Sequence, residues 1–156
     1  MPIKIAICDD AKEDAASLSA ALYAYDPSFE IACFTSGSAL LDDVADSGFS
    51  ADILFLDIYM PEIDGIQTAR ELRARCRELT IIFLTSGKEH YPQAYEVFAF
   101  NYILKPFDRE RLYAVLKRAL DGLHKENGYK IRIRYKGTAR SVDCNDILYI
   151  ESRDKR

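Results

Sequence analysis

The sequence predicts an α/β fold built on a buried parallel sheet, and three observations predict it. Short runs rich in Ile, Leu, Phe and Tyr recur along the chain without the polar alternation of a strand that has one wet face. Segments with helical spacing lie between those runs, which implies βαβ units with right-handed crossovers. Four of the runs end in polar residues of chemical interest: Asp9 with Asp10, then Asp57, Thr85 and Lys105. A parallel sheet gathers such residues at one edge, and ligands of open α/β sheets sit beyond the carboxyl ends of the strands.

Taken in order, residues 3–8 form the first run and lead into Asp9. Leu18, Leu22 and Tyr25 then mark a helix, with Glu13 and Asp14 near its N-terminus, where acids suit the dipole. Residues 29–34 carry no terminal charge and supply a further strand. Residues 52–56 precede Asp57, and a short helix over 65–74 opens after Asp64. Residues 80–84 precede Thr85, and residues 92–98 are a short helix opening after Tyr91 and Pro92. Residues 101–104 precede Lys105. The clearest helix follows, with Leu112, Val115, Leu116, Ala119, Leu120 and Leu123 on one stripe and Asp108 as its N-cap.

With 156 residues, 49% of them hydrophobic, the chain can bury one core of ordinary size. Its formal charge of -4 hides an asymmetry. Residues 1–128 hold 13 Lys and Arg against 21 Asp and Glu, whereas residues 129–156 hold 8 against 4. The change of sign suggests a boundary near Glu126, Asn127 and Gly128, dividing a domain over 1–125 from a segment over 126–156. Cys8, Cys33, Cys76 and Cys144 make no C-x-x-C pair, and His90 and His124 stand apart from them, so no zinc site is expected. Cys8 and Cys33 lie in apolar runs and read as small buried hydrophobes. The start runs straight into a strand, and no apolar stretch reaches membrane-spanning length; a reducing, cytoplasmic setting without a membrane partner is expected.

Three carboxylates in close quarters repel one another, and the cluster of Asp9, Asp10 and Asp57 needs a cation or a retained proton. Mg2+ suits it, as a hard cation that takes one or two carboxylates, a carbonyl and several waters. Asp57 has the best position for a nucleophile toward phosphorus, at the end of residues 53–56. Lys105 would supply fixed positive charge, and Thr85 a hydroxyl donor, to phosphoryl oxygens. An Asp after a strand is by itself more often a turn former or a cap. The common position of these residues on four separate strands is what favours chemistry.

The segments Asp9-Asp10, Asp57-Ile58-Tyr59-Met60-Pro61-Glu62-Ile63-Asp64-Gly65, Leu84-Thr85-Ser86 and Tyr102-Ile103-Leu104-Lys105-Pro106-Phe107 together resemble the receiver domain of two-component response regulators, over roughly residues 1–125. The resemblance implies a flavodoxin-like, doubly wound five-stranded parallel sheet in the order 2-1-3-4-5. It implies that Asp57 accepts a phosphoryl group from a sensor histidine kinase. It further implies that Asp10, Asp57 and the backbone carbonyl of Tyr59 hold Mg2+ with Asp9 in support, that Lys105 and Thr85 contact the phosphoryl oxygens, and that the Lys105–Pro106 peptide is cis. Thr85 and Tyr102 are the implied switch pair, acting on the surface of the fourth helix, fifth strand and fifth helix as a shift between two packings. Nearby, Tyr91, Tyr95, Phe98 and Phe100 form an aromatic stretch. Phe98 and Phe100 are expected in the core, the alternative being an adhesive patch for a homodimer formed on phosphorylation.

Beyond the boundary, Tyr129, Ile131, Ile133 and Tyr135 alternate with Lys130, Arg132, Arg134 and Lys136, as in a half-buried strand with a basic face. Gly137 and Thr138 read as a turn, residues 140–142 as a second strand and 146–151 as a third. Asp146-Ile147-Leu148-Tyr149-Ile150-Glu151 is similar to the opening of a LytTR-type DNA-binding domain. The segment is therefore expected to be the start of an incomplete LytTR-type domain in a truncated or shortened chain. DNA binding is expected of the full-length output domain and not of these strands, since basic residues alone bind phosphates weakly.

Three other functions would draw on the same residues. A Mg2+-dependent aspartyl phosphatase would carry a second Asp two residues after its nucleophile, where this chain has Tyr59. A flavodoxin-like cofactor binder would need a Ser-, Thr- or Gly-rich loop where Asp9-Asp10-Ala11-Lys12-Glu13 stands; no cofactor other than Mg2+ is expected. A phosphorylation-independent interaction module would not need all five polar residues. The sequence thus points to a phosphoacceptor signalling protein, not a turnover enzyme.

Overall fold

The structure, a computed structural model, describes residues 2–47, 50–128, 130–135 and 138–143. Its elements run β1 (Lys4–Cys8), α1 (Lys12–Tyr25), β2 (Glu30–Phe34), α2 (Gly37–Ser47), β3 (Ile53–Leu56), α3 (Gly65–Arg75), β4 (Thr80–Thr85), α4 (Tyr91–Glu96), β5 (Asn101–Leu104), α5 (Arg109–Gly128), β6 (Lys130–Tyr135) and β7 (Thr138–Asp143). They fall into two compact units, Met1–Ala119 and Leu120–Arg156.

The first unit is a five-stranded parallel sheet in the order β2-β1-β3-β4-β5. The chain leaves β1 toward β2 and thereafter moves the opposite way. With right-handed crossovers, that reversal sends α1 to one face and α2, α3 and α4 to the other. The packing agrees: Ala6, Cys8, Leu54, Leu56, Ile81 and Phe83 share a core with Leu40, Ile66, Leu72, Ala94 and Val97. By strand alternation Ile5, Ile7, Ile53 and Phe55 face the other side. There the Tyr113 hydroxyl of α5 donates to the Ala21 carbonyl of α1 at 2.7 Å, and the Tyr25 and Tyr113 rings lie 5.1 Å apart. The stripe Leu112, Val115, Leu116 and Ala119 is buried as its spacing requires. Asp108 caps α5 by accepting from the Arg111 N–H at 2.6 Å, and Asp64 caps α3 by accepting from the Gln67 N–H at 2.8 Å.

Three expectations change. The sheet edge β2 is largely exposed, because its apolar anchor Phe29 lies one residue before it; Cys33 is accordingly exposed and not a buried hydrophobe. The helix over 92–98 is shorter and is α4, since Phe98 adopts the left-handed region at φ 56 and ends it. Beyond that reversal the helical spacing no longer applies, so Phe98 is 80% exposed and Phe100 41% exposed, and neither is core. Arg73 braces the turn, donating to the carbonyls of Val97 at 2.8 Å, Phe98 at 3.0 Å and Leu79 at 2.5 Å. Finally, α2 was not expected. Ser36 caps it by accepting from the Ala39 N–H at 3.0 Å, and Leu40 and Leu41 reach the core.

In the second unit β6 and β7 pair antiparallel, with Lys130 opposite Asp143 and Tyr135 opposite Thr138. The strand expected over 146–151 lies outside the described residues. Among the described residues no helix is long and apolar enough to cross a membrane.

Candidate functional site

Hydrogen bonding of the sheet continues one residue past β1, β3 and β5, and this is what places the polar residues. The Asp9 N–H donates to the Phe34 carbonyl at 3.0 Å, the Asp57 N–H to the Cys8 carbonyl at 3.0 Å, and the Lys105 N–H to the Thr85 carbonyl at 2.8 Å. Each residue is therefore held by the ladder while its side chain stands at the carboxyl edge. Asp9, Asp57 and Thr85 are buried, whereas Asp10 is exposed. Carboxylate oxygens of Asp9, Asp10 and Asp57 come within 4.8 Å of one another.

Lys105 ties this cluster together. Its ammonium donates to Asp9 Oδ2 at 2.7 Å, Asp14 Oδ2 at 2.8 Å and Asp57 Oδ2 at 3.2 Å. Backbone donors take the remaining carboxylate oxygens, the Ala11 N–H bonding Asp9 Oδ1 at 2.9 Å and the Tyr59 N–H bonding Asp57 Oδ1 at 3.3 Å. The Lys105–Pro106 peptide is cis.

The charges shift one another in directions that follow from burial. Desolvation holds the Asp9 carboxyl above its ordinary value, against the hydrogen bonds from Lys105 and Ala11, and the charge of Asp57 adds to the effect. Burial alone would lower Lys105. Its hydrogen bonds to Asp14 and Asp9 and the charges of Asp57 and Asp9 outweigh that and hold the ammonium above its ordinary value. Beneath the cluster, burial pushes the Cys8 thiol up to about 12, helped by Asp9, Asp57 and Asp10.

Two loops frame the mouth of the site. The Tyr59 hydroxyl donates to Glu89 Oε2 at 2.6 Å, and the Tyr59 and His90 rings meet edge to face at 5.5 Å. The α3 N-terminus lies so close that a Cβ on Gly65 would collide with the Asp57 carbonyl oxygen and stand 2.8 Å from Ile58 Cα. Only glycine fits there without moving the backbone of Asp57.

Thr85 sits one strand away with its Oγ1 buried and without a hydrogen-bond partner. Tyr102 is half-buried, packs edge to face on Tyr91 at 4.3 Å, and donates its hydroxyl to the Gly87 carbonyl. Burial pushes its hydroxyl up to about 12, with Tyr59, Tyr91, Glu89 and Asp57 contributing.

This donor set fits a hard divalent cation. Asp9, Asp10, Asp14 and Asp57 stand against the single ammonium of Lys105, so the oxygens are numerous and their repulsion is only partly relieved. An orphaned hydroxyl on the neighbouring strand and an ammonium 3.2 Å from Asp57 also fit an anionic group with several acceptor oxygens. Asp14 is the member of this arrangement that the sequence did not reveal. On a helix its first-turn position suggests only a dipole effect, and nothing local marks it as a partner for a lysine 91 residues away.

Residues 5–117 match the family model described as the response regulator receiver domain. Transcriptional regulatory protein YpdB of Escherichia coli is 39% identical over 67 residues, 43% of this chain and 28% of YpdB. Sensory transduction protein LytT of Bacillus cereus is 34% identical over 96 residues, 62% of this chain and 38% of LytT. The chain thus spans well under half the length of these curated relatives. The crystal structure of the response regulatory domain of protein mrkE from Klebsiella pneumoniae superposes with a TM-score of 0.73 at 29% identity, covering 79% of this chain and 99% of that one.

Proposed function

The chain belongs to the response regulator receiver domain family, and from that premise we propose that it is a phosphorylation-controlled switch whose acceptor is Asp57. The observation that carries this reading is the set of groups around one carboxylate: Lys105 at 3.2 Å, an unpartnered Thr85 hydroxyl, and Asp9 and Asp10 within reach of a shared cation. Asp10, Asp57 and the Tyr59 carbonyl would hold Mg2+, with Asp9 in support. Bound there, Mg2+ would offset the negative charge shared by the carboxylates and the incoming phosphoryl group.

The protein's own groups do the rest. An Asp57 carboxylate oxygen attacks the phosphorus of a kinase phosphohistidine; the new O–P bond forms as the P–N bond breaks, and the leaving imidazole takes up a proton. Lys105 and the Thr85 hydroxyl donate to the phosphoryl oxygens. Burial of Asp9 and Asp57 keeps these interactions out of bulk water, where they would be weaker. Thr85, once engaged, draws on the packing beside Tyr102. The surface of α4, β5 and α5 is then free to favour its second arrangement, including a homodimer.

The setting we propose is cytoplasmic, with a sensor histidine kinase as partner. The first domain would span residues 1–125, and residues 126–156 would begin a LytTR-type output whose full-length form binds DNA. Similarity to LytT and YpdB supports that output. The protein would be a signalling acceptor that turns over only its own phosphoryl group.

Mass spectrometry after acetyl phosphate and Mg2+ tests the proposal. A gain of about 80 Da that disappears in EDTA and in Asp57→Asn is expected. No gain under any of these conditions would replace it with a phosphorylation-independent interaction module.

A further inference from the structure

We infer that Asp14 is a latch on Lys105, a positioning residue that competes with the phosphoryl group for the same ammonium. The inference rests on the phosphoacceptor reading of Asp57. A lysine ammonium has three N–H donors and no acceptor. All three are engaged, by Asp9 at 2.7 Å, Asp14 at 2.8 Å and Asp57 at 3.2 Å. A phosphoryl group on Asp57 inherits the longest of these bonds, while the two shorter ones continue to hold the ammonium.

The two shorter bonds differ in how easily they yield. The Asp9 side chain is 6% exposed, so releasing Lys105 would leave a buried carboxylate uncompensated. The Asp14 side chain is 50% exposed and would exchange the ammonium for water at little cost. Asp14 is therefore the partner that lets go. Space is open beside it, because Asp14 and Lys105 line one cleft of about 570 Å3 together with Ser17, Ser86, Phe107 and Arg109. While latched, Asp14 holds Lys105 toward α1. Unlatched, the ammonium keeps Asp9 and turns the N–H that Asp14 held to the phosphoryl oxygens.

The test compares phosphorylation rates of the full chain with acetyl phosphate and Mg2+ in the wild type, Asp14→Asn, Asp14→Glu and Glu13→Gln. Asp14→Asn keeps the shape but weakens the pair, and its rate is expected to rise about two- to five-fold, the range that a half-exposed ion pair supports. Asp14→Glu keeps the charge and should stay near wild type. Glu13→Gln removes an exposed charge from the same helical turn without touching Lys105, and controls for simple repulsion of an anionic donor. An unchanged or slower Asp14→Asn, or an equal gain in Glu13→Gln, overturns the latch. If the wild type takes up no phosphoryl group, the acceptor reading fails, and the latch is decided without a donor. In EDTA, the 1H–15N signal of the Lys105 ammonium should exchange faster in Asp14→Asn than in wild type, and identical signals would overturn it.

Discussion

Replacing Thr85 by Val should stabilise the unphosphorylated protein and weaken the phosphorylated one. Thr85 is fully buried at the end of β4, and its Oγ1 meets no partner in the fold. An unsatisfied buried hydroxyl costs about 1–3 kcal/mol. Valine keeps the branched shape and the strand preference and removes the polar atom. The backbone is indifferent to the change, since the Thr85 carbonyl still accepts from the Lys105 N–H at 2.8 Å. For a chain of this size each kcal/mol is worth about 2–4 °C, so the melting temperature in EDTA should rise by about 2–12 °C by far-UV circular dichroism. With acetyl phosphate and Mg2+ the order should reverse, because only threonine can donate to the phosphoryl group. A Thr85→Val chain less stable than wild type by more than about 0.5 kcal/mol in EDTA would mean that the hydroxyl already has a partner, and would refute the reasoning.

Further outcomes follow from the same geometry. Gly65→Ala should lose about 1–3 kcal/mol in urea unfolding and slow phosphorylation as well, because the new methyl displaces the Asp57 backbone; full stability with full activity would contradict the close approach. Asp9→Asn has a definite sign with pH. Asp9 is held above its ordinary value by burial, so it favours the fold fully below about 3.8 and loses that contribution as pH rises through its raised value. In EDTA the advantage of the Asp9→Asn chain over wild type should thus grow from about pH 3.5 to about pH 7, and a shrinking advantage would reverse the assignment. Iodoacetamide at about pH 8 should label exposed Cys33 in the native protein and spare Cys8, whose buried thiol is pushed up to about 12. Peptide mass mapping reads the difference, and native labelling of Cys8 as fast as Cys33 would show that the site opens.

What the sequence made legible was whatever is carried by short-range pattern. The apolar runs before Asp9, Asp57, Thr85 and Lys105 determine strands, and a strand end in a parallel sheet determines a location, so the edge cluster followed from order along the chain. The stripe from Leu112 to Ala119 was equally plain, because burial of one helical face repeats every turn. The features that escaped depend on a single backbone angle or on a distant partner. Phe98 looks like core by hydropathy, yet one left-handed φ, braced by Arg73 from a different helix, turns it to solvent. Cys33 sits in an apolar run like the others, but only the strand order shows that its run is an edge.

Asp14 shows where such reading stops and what lies past it. The five polar residues found from sequence share one property, a place at a strand end, and that property says nothing about how their charges balance. Three carboxylates and one lysine leave an account that a metal alone could be expected to settle. The fold adds a fourth carboxylate from α1, and it takes the shortest but one of the bonds to Lys105. A site built this way holds Lys105 by ordinary surface electrostatics on one side and by buried charge on the other. The exposed side is the weaker, and it borders an open cleft. The two shorter bonds of one ammonium thus differ in kind, which is why replacing Asp14 and replacing Asp9 should differ: the first loosens Lys105 alone, whereas the second loosens it and also relieves a buried charge.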